Sequence, residues 1–184
     1  INLRPDLVAA VIAAPLPDPA LMQTFFLPQE KWIQKLKSCV VKIVFHLLPL
    51  ELIVPLIANT KLIVFALQAA YNISIKSDIE LQRLVTKPAQ RKTAPRSLRS
   101  MCIGMATRSP SRTANLLLDQ LSLKASRPPF LMVWGSKDKL VPLMLGKKIN
   151  KKYPWVELSV IKDSGHCPHD ESPEEFNKCV LNWL

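Results

Sequence analysis

Two residues able to move a proton sit in the last third of this chain. Asp138 lies in the turn Gly135-Ser136-Lys137-Asp138-Lys139, and His166 lies in Ser164-Gly165-His166, 28 positions later. A carboxylate that accepts the Nδ1 proton of an imidazole leaves Nε2 free as a base, which is the chemistry needed to activate a hydroxyl nucleophile. An aspartate in a turn is by itself an ordinary turn former, so its position must carry the argument. Asp138 follows the apolar run Phe130 to Trp134, and His166 follows the apolar run Val156 to Ile161, with a helix-like segment between the runs. That is a strand, helix, strand unit whose crossover length fits a parallel pair. In such sheets the carboxyl ends of the strands share one rim, so both side chains are delivered to the same edge.

The neighbouring candidates read differently. His169 stands in Cys-Pro-His-Asp-Glu, ahead of the helix start Pro173-Glu174-Glu175, where Asp170, Glu171 and Ser172 are cap-like, and it takes a structural role. Cys167 adjoins His166, and adjacent side chains do not readily converge on one imidazole edge, which argues against a thiol nucleophile. Lys137 and Lys139 flank the acid as solvated cations. His46 falls on an apolar helix face as a core or rim residue. Three scattered histidines with no HExxH and no paired carboxylates argue against a metal site. Gly165 permits a sharp turn that projects the imidazole.

With these residues in view, the chain resembles the α/β-hydrolases. The resemblance rests on WGSKDKLVP for the acid turn and on SGHCPHDESPEEFN with its following helix for the histidine loop. The leading LRPDLVAAVIAAP also resembles the strand that follows the nucleophile turn. It implies an α/β fold, the parallel-sheet portion of a hydrolase core carrying a helical cap insertion, with Asp138 as triad acid and His166 as triad base. In that family the serine precedes both, in a Gly-x-Ser-x-Gly turn. No serine here is flanked by two glycines, since the glycines are Gly104, Gly135, Gly146 and Gly165. The chain therefore reads as the carboxyl-terminal part of a longer hydrolase, with the nucleophile and oxyanion loop upstream of Ile1. Four glycines against sixteen prolines fit the loss of a glycine-rich half.

The 184 residues, 48% of them apolar, suffice for a real core. The expected organisation is a core strand within 1–17, a helical cap within 18–126, and core strands and helices carrying the acid and base within 127–184. Leu7 to Ala14 reads as the first strand, left at Pro15-Leu16-Pro17-Asp18-Pro19. Gln29 to Leu48 reads as a helix with an apolar stripe at Trp32, Leu36, Val40, Ile43 and Leu47. Leu50 to Ala70 is continuously apolar, but Pro49, Glu51, Pro55 and Lys61 divide it into pieces shorter than the roughly 20 residues of a spanning helix. Further helices are expected from Ser77 to Thr86, ended by Pro88, from Thr93 to Thr107, broken by Ser109-Pro110-Ser111, and from Ala114 to Leu121. Cys39, Cys102, Cys167 and Cys179 have no CxxC spacing and read as reduced thiols of a cytoplasmic protein.

Charge is uneven. No acid falls between Glu80 and Asp119, whereas Arg83, Lys87, Arg91, Lys92, Arg96, Arg99, Arg108 and Arg112 all do, and they carry much of the net +11. A solvated helical face and adsorption to an anionic membrane both account for this pattern. The stretch has no aromatic residue to stack bases, which argues against nucleic acid. The expected activity is hydrolysis of a small hydrophobic ester-like substrate without a cofactor. Dehalogenases, epoxide hydrolases and acyltransferases share the family and differ at the nucleophile. The alternative is a non-catalytic module that docks on a membrane or a partner through its basic helices.

Overall fold

Phe130 to Gly135 is a run with no charged side chain, and such a run is stable only where both faces of a strand are covered. In the computed structural model every one of these six residues is buried. The structure describes residues 7–15, 31–58, 61–107 and 113–184. Along the chain the elements are β1 (Val11–Ala13), α1 (Lys31–Leu47), α2 (Leu50–Ala58), α3 (Lys61–Gln68), α4 (Ile79–Ala89), α5 (Ala94–Ala106), α6 (Ala114–Ser122), β2 (Phe130–Gly135), α7 (Leu143–Lys152), β3 (Val156–Ile161), α8 (Pro168–Glu171) and α9 (Pro173–Trp183). The expectations for residues 16–30 and for the break at Ser109-Pro110-Ser111 lie outside the described residues.

The sheet is parallel, in the order β1-β2-β3. Val11 pairs with Phe130 at one edge of β2, and Phe130 pairs with Val156 and Gly135 with Ile161 at the other. Alternation along β2 sends Phe130, Met132 and Trp134 to one face, against Leu118 of α6, Leu145 and Ile149 of α7, and Val141 and Tyr153. It sends Leu131 and Val133 to the other, where Phe176, Cys179, Val180 and Trp183 of α9 pack beside Ile161. Trp134, fully buried, satisfies its ring N–H on the Val141 carbonyl at 2.9 Å.

β1 is shorter than the expected Leu7 to Ala14. The Val11 N–H donates to the Pro129 carbonyl at 2.9 Å. Pro128 and Pro129 have no N–H to return, so the ladder cannot extend backwards. α4 also departs from expectation. Asp78 caps it by accepting the Leu81 N–H at 2.8 Å, and it runs on to Ala89 with Pro88 inside its last turn. A proline that close to the end removes only one intrahelical bond, which the helix tolerates.

By contacts the described residues form two compact units. One holds the sheet, residues 68–74 and the chain from 113 onward; the other holds the helices in 31–58, 61–67 and 75–107. Residues 68–74 and 113–126, inside the expected 18–126 insertion, thus group with the sheet. In the helical unit α5 packs on α1, α2 and α4. Of the apolar stripe on α1, Leu36, Val40, Ile43 and Leu47 are exposed, while Ser38, Val41 and Phe45 are half-buried. Val40, Val41, Ile43, Val44 and Phe45 make this helix apolar on several sides, so spacing alone does not choose the inward one.

Arg99 of α5 organises the break between α1 and α2. Its Nε donates to the Phe45 carbonyl at 2.8 Å and Nη2 to the Leu48 carbonyl at 3.0 Å, at the end of α1 where carbonyls have no helical partner. Nη1 and Nη2 also form a fork on Glu51, in the first turn of α2, at 2.5 and 2.9 Å. Chiefly through the Arg99 hydrogen bonds, the Glu51 pKa is lowered to about 2 from its ordinary 4.5. A depressed carboxyl contributes stability that is full above its unfolded pKa and is lost as pH falls through the folded one. Because the pair is exposed and screened, the helical unit should lose only a little thermal stability between about pH 4.5 and 2, read as a lowered Tm by circular dichroism. Arg99→Lys, which cannot form the fork, should flatten that acid limb.

Candidate active site

The turn after β2 and the turn after β3 interlock. The Ser136 N–H donates to the Ile161 carbonyl at 2.9 Å and the Lys137 N–H to the Ser164 carbonyl at 2.8 Å. The backbones meet so closely at Gly135 that a Cβ there would strike the carbonyl oxygens of Ser164 and Gly165. Asp163 takes a left-handed backbone, φ 56°, and its N–H is held by Ser136 Oγ at 2.9 Å. Asp tolerates that conformation better than most residues.

On this interlocked rim the two sequence-predicted residues come together. His166 Nδ1 lies 2.8 Å from Asp138 Oδ2. Asp138 Oδ1 accepts the N–H groups of Leu140 and Val141, each at 2.9 Å. With Oδ1 taken by two backbone N–H donors, Oδ2 is left to accept from the imidazole, an arrangement that suits the Nδ1–H tautomer. The Asp138 side chain is 0% exposed and that of His166 is 23% exposed, so the acid is shielded while the imidazole keeps an accessible edge.

The other candidates fall away from this pair. Lys137 and Lys139 are exposed. His169 packs edge-on to Phe176 at 5.9 Å between ring centroids, and exposed His46 bonds the Lys42 carbonyl through Nδ1 at 2.8 Å. Burial raises the Cys167 thiol pKa, which disfavours the thiolate. All four cysteines are free. Among the described residues no group of three or more His, Cys, Asp and Glu side chains could hold a metal ion.

Two features escape the sequence reading. Tyr71 is buried and donates its hydroxyl to Asp170 Oδ2 at 2.7 Å; burial first, and this bond second, raise its pKa well above the usual phenol value. Glu171 and Ser172, read as cap residues, cap nothing with their side chains. Ser172 Oγ pairs with buried Ser164 Oγ at 2.7 Å, and Glu171 reaches back to the histidine loop. Gly165 has no positive φ; it must be glycine because a Cβ would meet the Ala70 carbonyl at 2.7 Å and the Asn72 nitrogen at 2.8 Å. An acid that can cap a helix and one that can hold a loop look alike in sequence, and only the approach of 70–73 separates them.

A parallel sheet that brings an acid turn and a histidine turn to one rim, with helices on both faces, is the α/β-hydrolase fold, present here in part. No protein-family model matches the sequence. Over 61 residues, 33% of this chain and 13% of the relative, it is 36% identical to the chloroplastic pheophytinase of Arabidopsis thaliana. Over 56 residues, 30% of this chain and 20% of the relative, it is 39% identical to a 2-hydroxy-6-oxononadienedioate/2-hydroxy-6-oxononatrienedioate hydrolase of a Pseudomonas species. The matched part thus spans a fifth or less of these two relatives. The fold is similar to that of the Cif epoxide hydrolase from Acinetobacter nosocomialis, with TM-score 0.65 and 16% identity over 100% of this chain and 56% of that one. A thermophilic esterase from Thermogutta terrifontis gives TM-score 0.54 and 21% identity over 85% of this chain and 51% of that one.

The carboxylate also sets the tautomer. Asp138→Asn keeps an oxygen for the Leu140 and Val141 N–H groups but turns an NH₂ toward His166, so the imidazole proton should move from Nδ1 to Nε2. Imidazole nitrogen NMR should show that exchange with little change in the backbone spectrum; an unchanged Nδ1–H signal would contradict the pairing.

Proposed function

We propose that this chain supplies the acid and base of a hydrolase that cleaves an ester with a hydrophobic acyl or alcohol group, the nucleophilic serine lying outside residues 1–184. The observation that carries this reading is the 2.8 Å Asp138–His166 pair on the rim of a parallel sheet. His166 Nε2 takes the serine proton as its oxygen attacks the ester carbonyl, Asp138 stabilises the imidazolium, and the same proton passes to the leaving alkoxide. Water then repeats the sequence on the acyl-enzyme, releasing the acid. Oxyanion donors come from backbone N–H groups outside this chain. Relatives and fold neighbours named as hydrolases and an esterase support the reaction class. The apolar helices α2 and α3 support a hydrophobic substrate.

The test uses a longer chain that includes residues ahead of Ile1. It should hydrolyse p-nitrophenyl butyrate, His166→Ala should lower kcat by about 10³-fold or more, and the 184-residue chain should show no turnover. A His166→Ala variant that keeps full activity would sink the reading.

A second reading, a module docking on anionic lipid through its basic helices, is favoured by the surface of the helical unit. Leu36, Val40, Ile43 and Leu47 of α1 are exposed, as are Arg83, Lys87, Arg91, Lys92 and Arg96. Exposed apolar residues together with exposed cations suit the lipid interface, each basic residue adding about 1 kcal/mol near an anionic surface. No single helix among the described residues is long and apolar enough to cross a membrane. Vesicles containing phosphatidylserine should pull the protein down, vesicles of phosphatidylcholine should not, and added salt should release it. Equal binding to both would remove the electrostatic part of this reading.

A further inference from the structure

We propose that Glu171 is a positioning residue for His166. This rests on the hydrolase reading only for its effect on catalysis. Glu171 is the last residue of α8, and its carboxylate clasps two separate stretches of backbone. Oε1 accepts the Gly165 N–H at 2.7 Å, one residue before the imidazole. Oε2 accepts the Asn72 N–H at 2.7 Å and the Ile73 N–H at 3.2 Å. The stretch so held presents the Ala70 carbonyl to the His166 N–H at 2.7 Å. Asn72 Nδ2 adds a bond to the Asp163 carbonyl at 2.8 Å, at the start of the histidine turn.

His166 is thus fixed from both sides along the chain, through Gly165 directly and through Ala70 by way of the clasped segment 70–73. The shape of the site agrees. A Cβ on Gly165 would lie 2.7 Å from Glu171 Oε1 and 2.8 Å from the Asn72 nitrogen, so the loop is seated inside the clasp. Charge-assisted bonds to backbone N–H groups are the stronger kind, and this carboxylate makes three. An uncharged amide of the same size cannot replace it, because its NH₂ would face at least one N–H. Released from the clasp, Gly165 and His166 can shift relative to Asp138, and displacement of about 1 Å can cost on the order of 100-fold in rate.

The experiment is run on the longer chain used for ester hydrolysis, with two readouts. Glu171→Gln should lower kcat on p-nitrophenyl butyrate by about 10- to 100-fold with KM within about 2-fold. In the same variant the far-downfield Nδ1–H proton signal of His166 should weaken or vanish. Asp119→Ala, which removes the bonds to Tyr153 and Lys152 away from the histidine loop, should change neither readout by more than about 2-fold. Retention of both the Nδ1–H signal and kcat in Glu171→Gln would overturn the proposal. Equal losses in Asp119→Ala and Glu171→Gln would also overturn it, because the role would then be general stability alone. If Glu171→Gln does not fold, hydrogen exchange of the unsubstituted protein decides. The amides of Asn72 and Ile73 should be protected despite their exposure, and fast exchange of both would refute the clasp. A chain that hydrolyses no ester but loses the Nδ1–H signal in Glu171→Gln keeps the positioning role and refutes the hydrolase reading.

Discussion

The burial of β2 on both faces is the constraint from which the rest follows. Its residues point alternately to the α6–α7 layer and to α9, and it has parallel partners along both edges. A strand so placed has no freedom of register, because a slip by one residue would exchange its two faces. The turn at its carboxyl end is therefore held as firmly as the core. The parallel neighbour β3 ends at the same level, with Gly135 opposite Ile161, so the next turn is fixed as well. The acid and the imidazole inherit their positions from this ladder.

Above the ladder, precision comes from polar groups with every bond assigned. Asp138 is buried, yet both of its oxygens are satisfied. Ser164, wholly buried, pairs with Ser172. Burial without partners would cost free energy; burial with partners fixes orientation. The Glu171 clasp and the Tyr71–Asp170 bond use the same device, each tying 70–73 to the short helix after the histidine. The site thus combines an apolar base that sets level and a polar rim that sets angle.

The helical unit follows a different rule. Its helices are apolar on more than one side, and the interaction most specific in geometry is the Arg99 fork on Glu51 beside the freed carbonyls of α1. Leucines and isoleucines of α1 and cations of α4 and α5 are exposed on this unit.

The sequence by itself determined the sheet and the identity of the pair. Phe130 to Trp134 reads as a strand because it is short, apolar throughout and bounded by turns, whereas Val156 to Ile161 forms a strand with only Val156 and Ile161 buried; Asp138 and His166 stand out because each follows a strand end. It could not assign the buried side of α1, because Val40, Val41, Ile43, Val44 and Phe45 satisfy more than one stripe. It placed β1 too long, since the Pro128–Pro129 pair that stops the ladder acts from more than a hundred residues away in the chain. Only the tertiary structure decided that Glu171 holds a loop and does not cap a helix. Its partners at Asn72 and Ile73 are 99 and 98 residues distant, and no local pattern records which backbone N–H groups a folded chain will bring to a carboxylate.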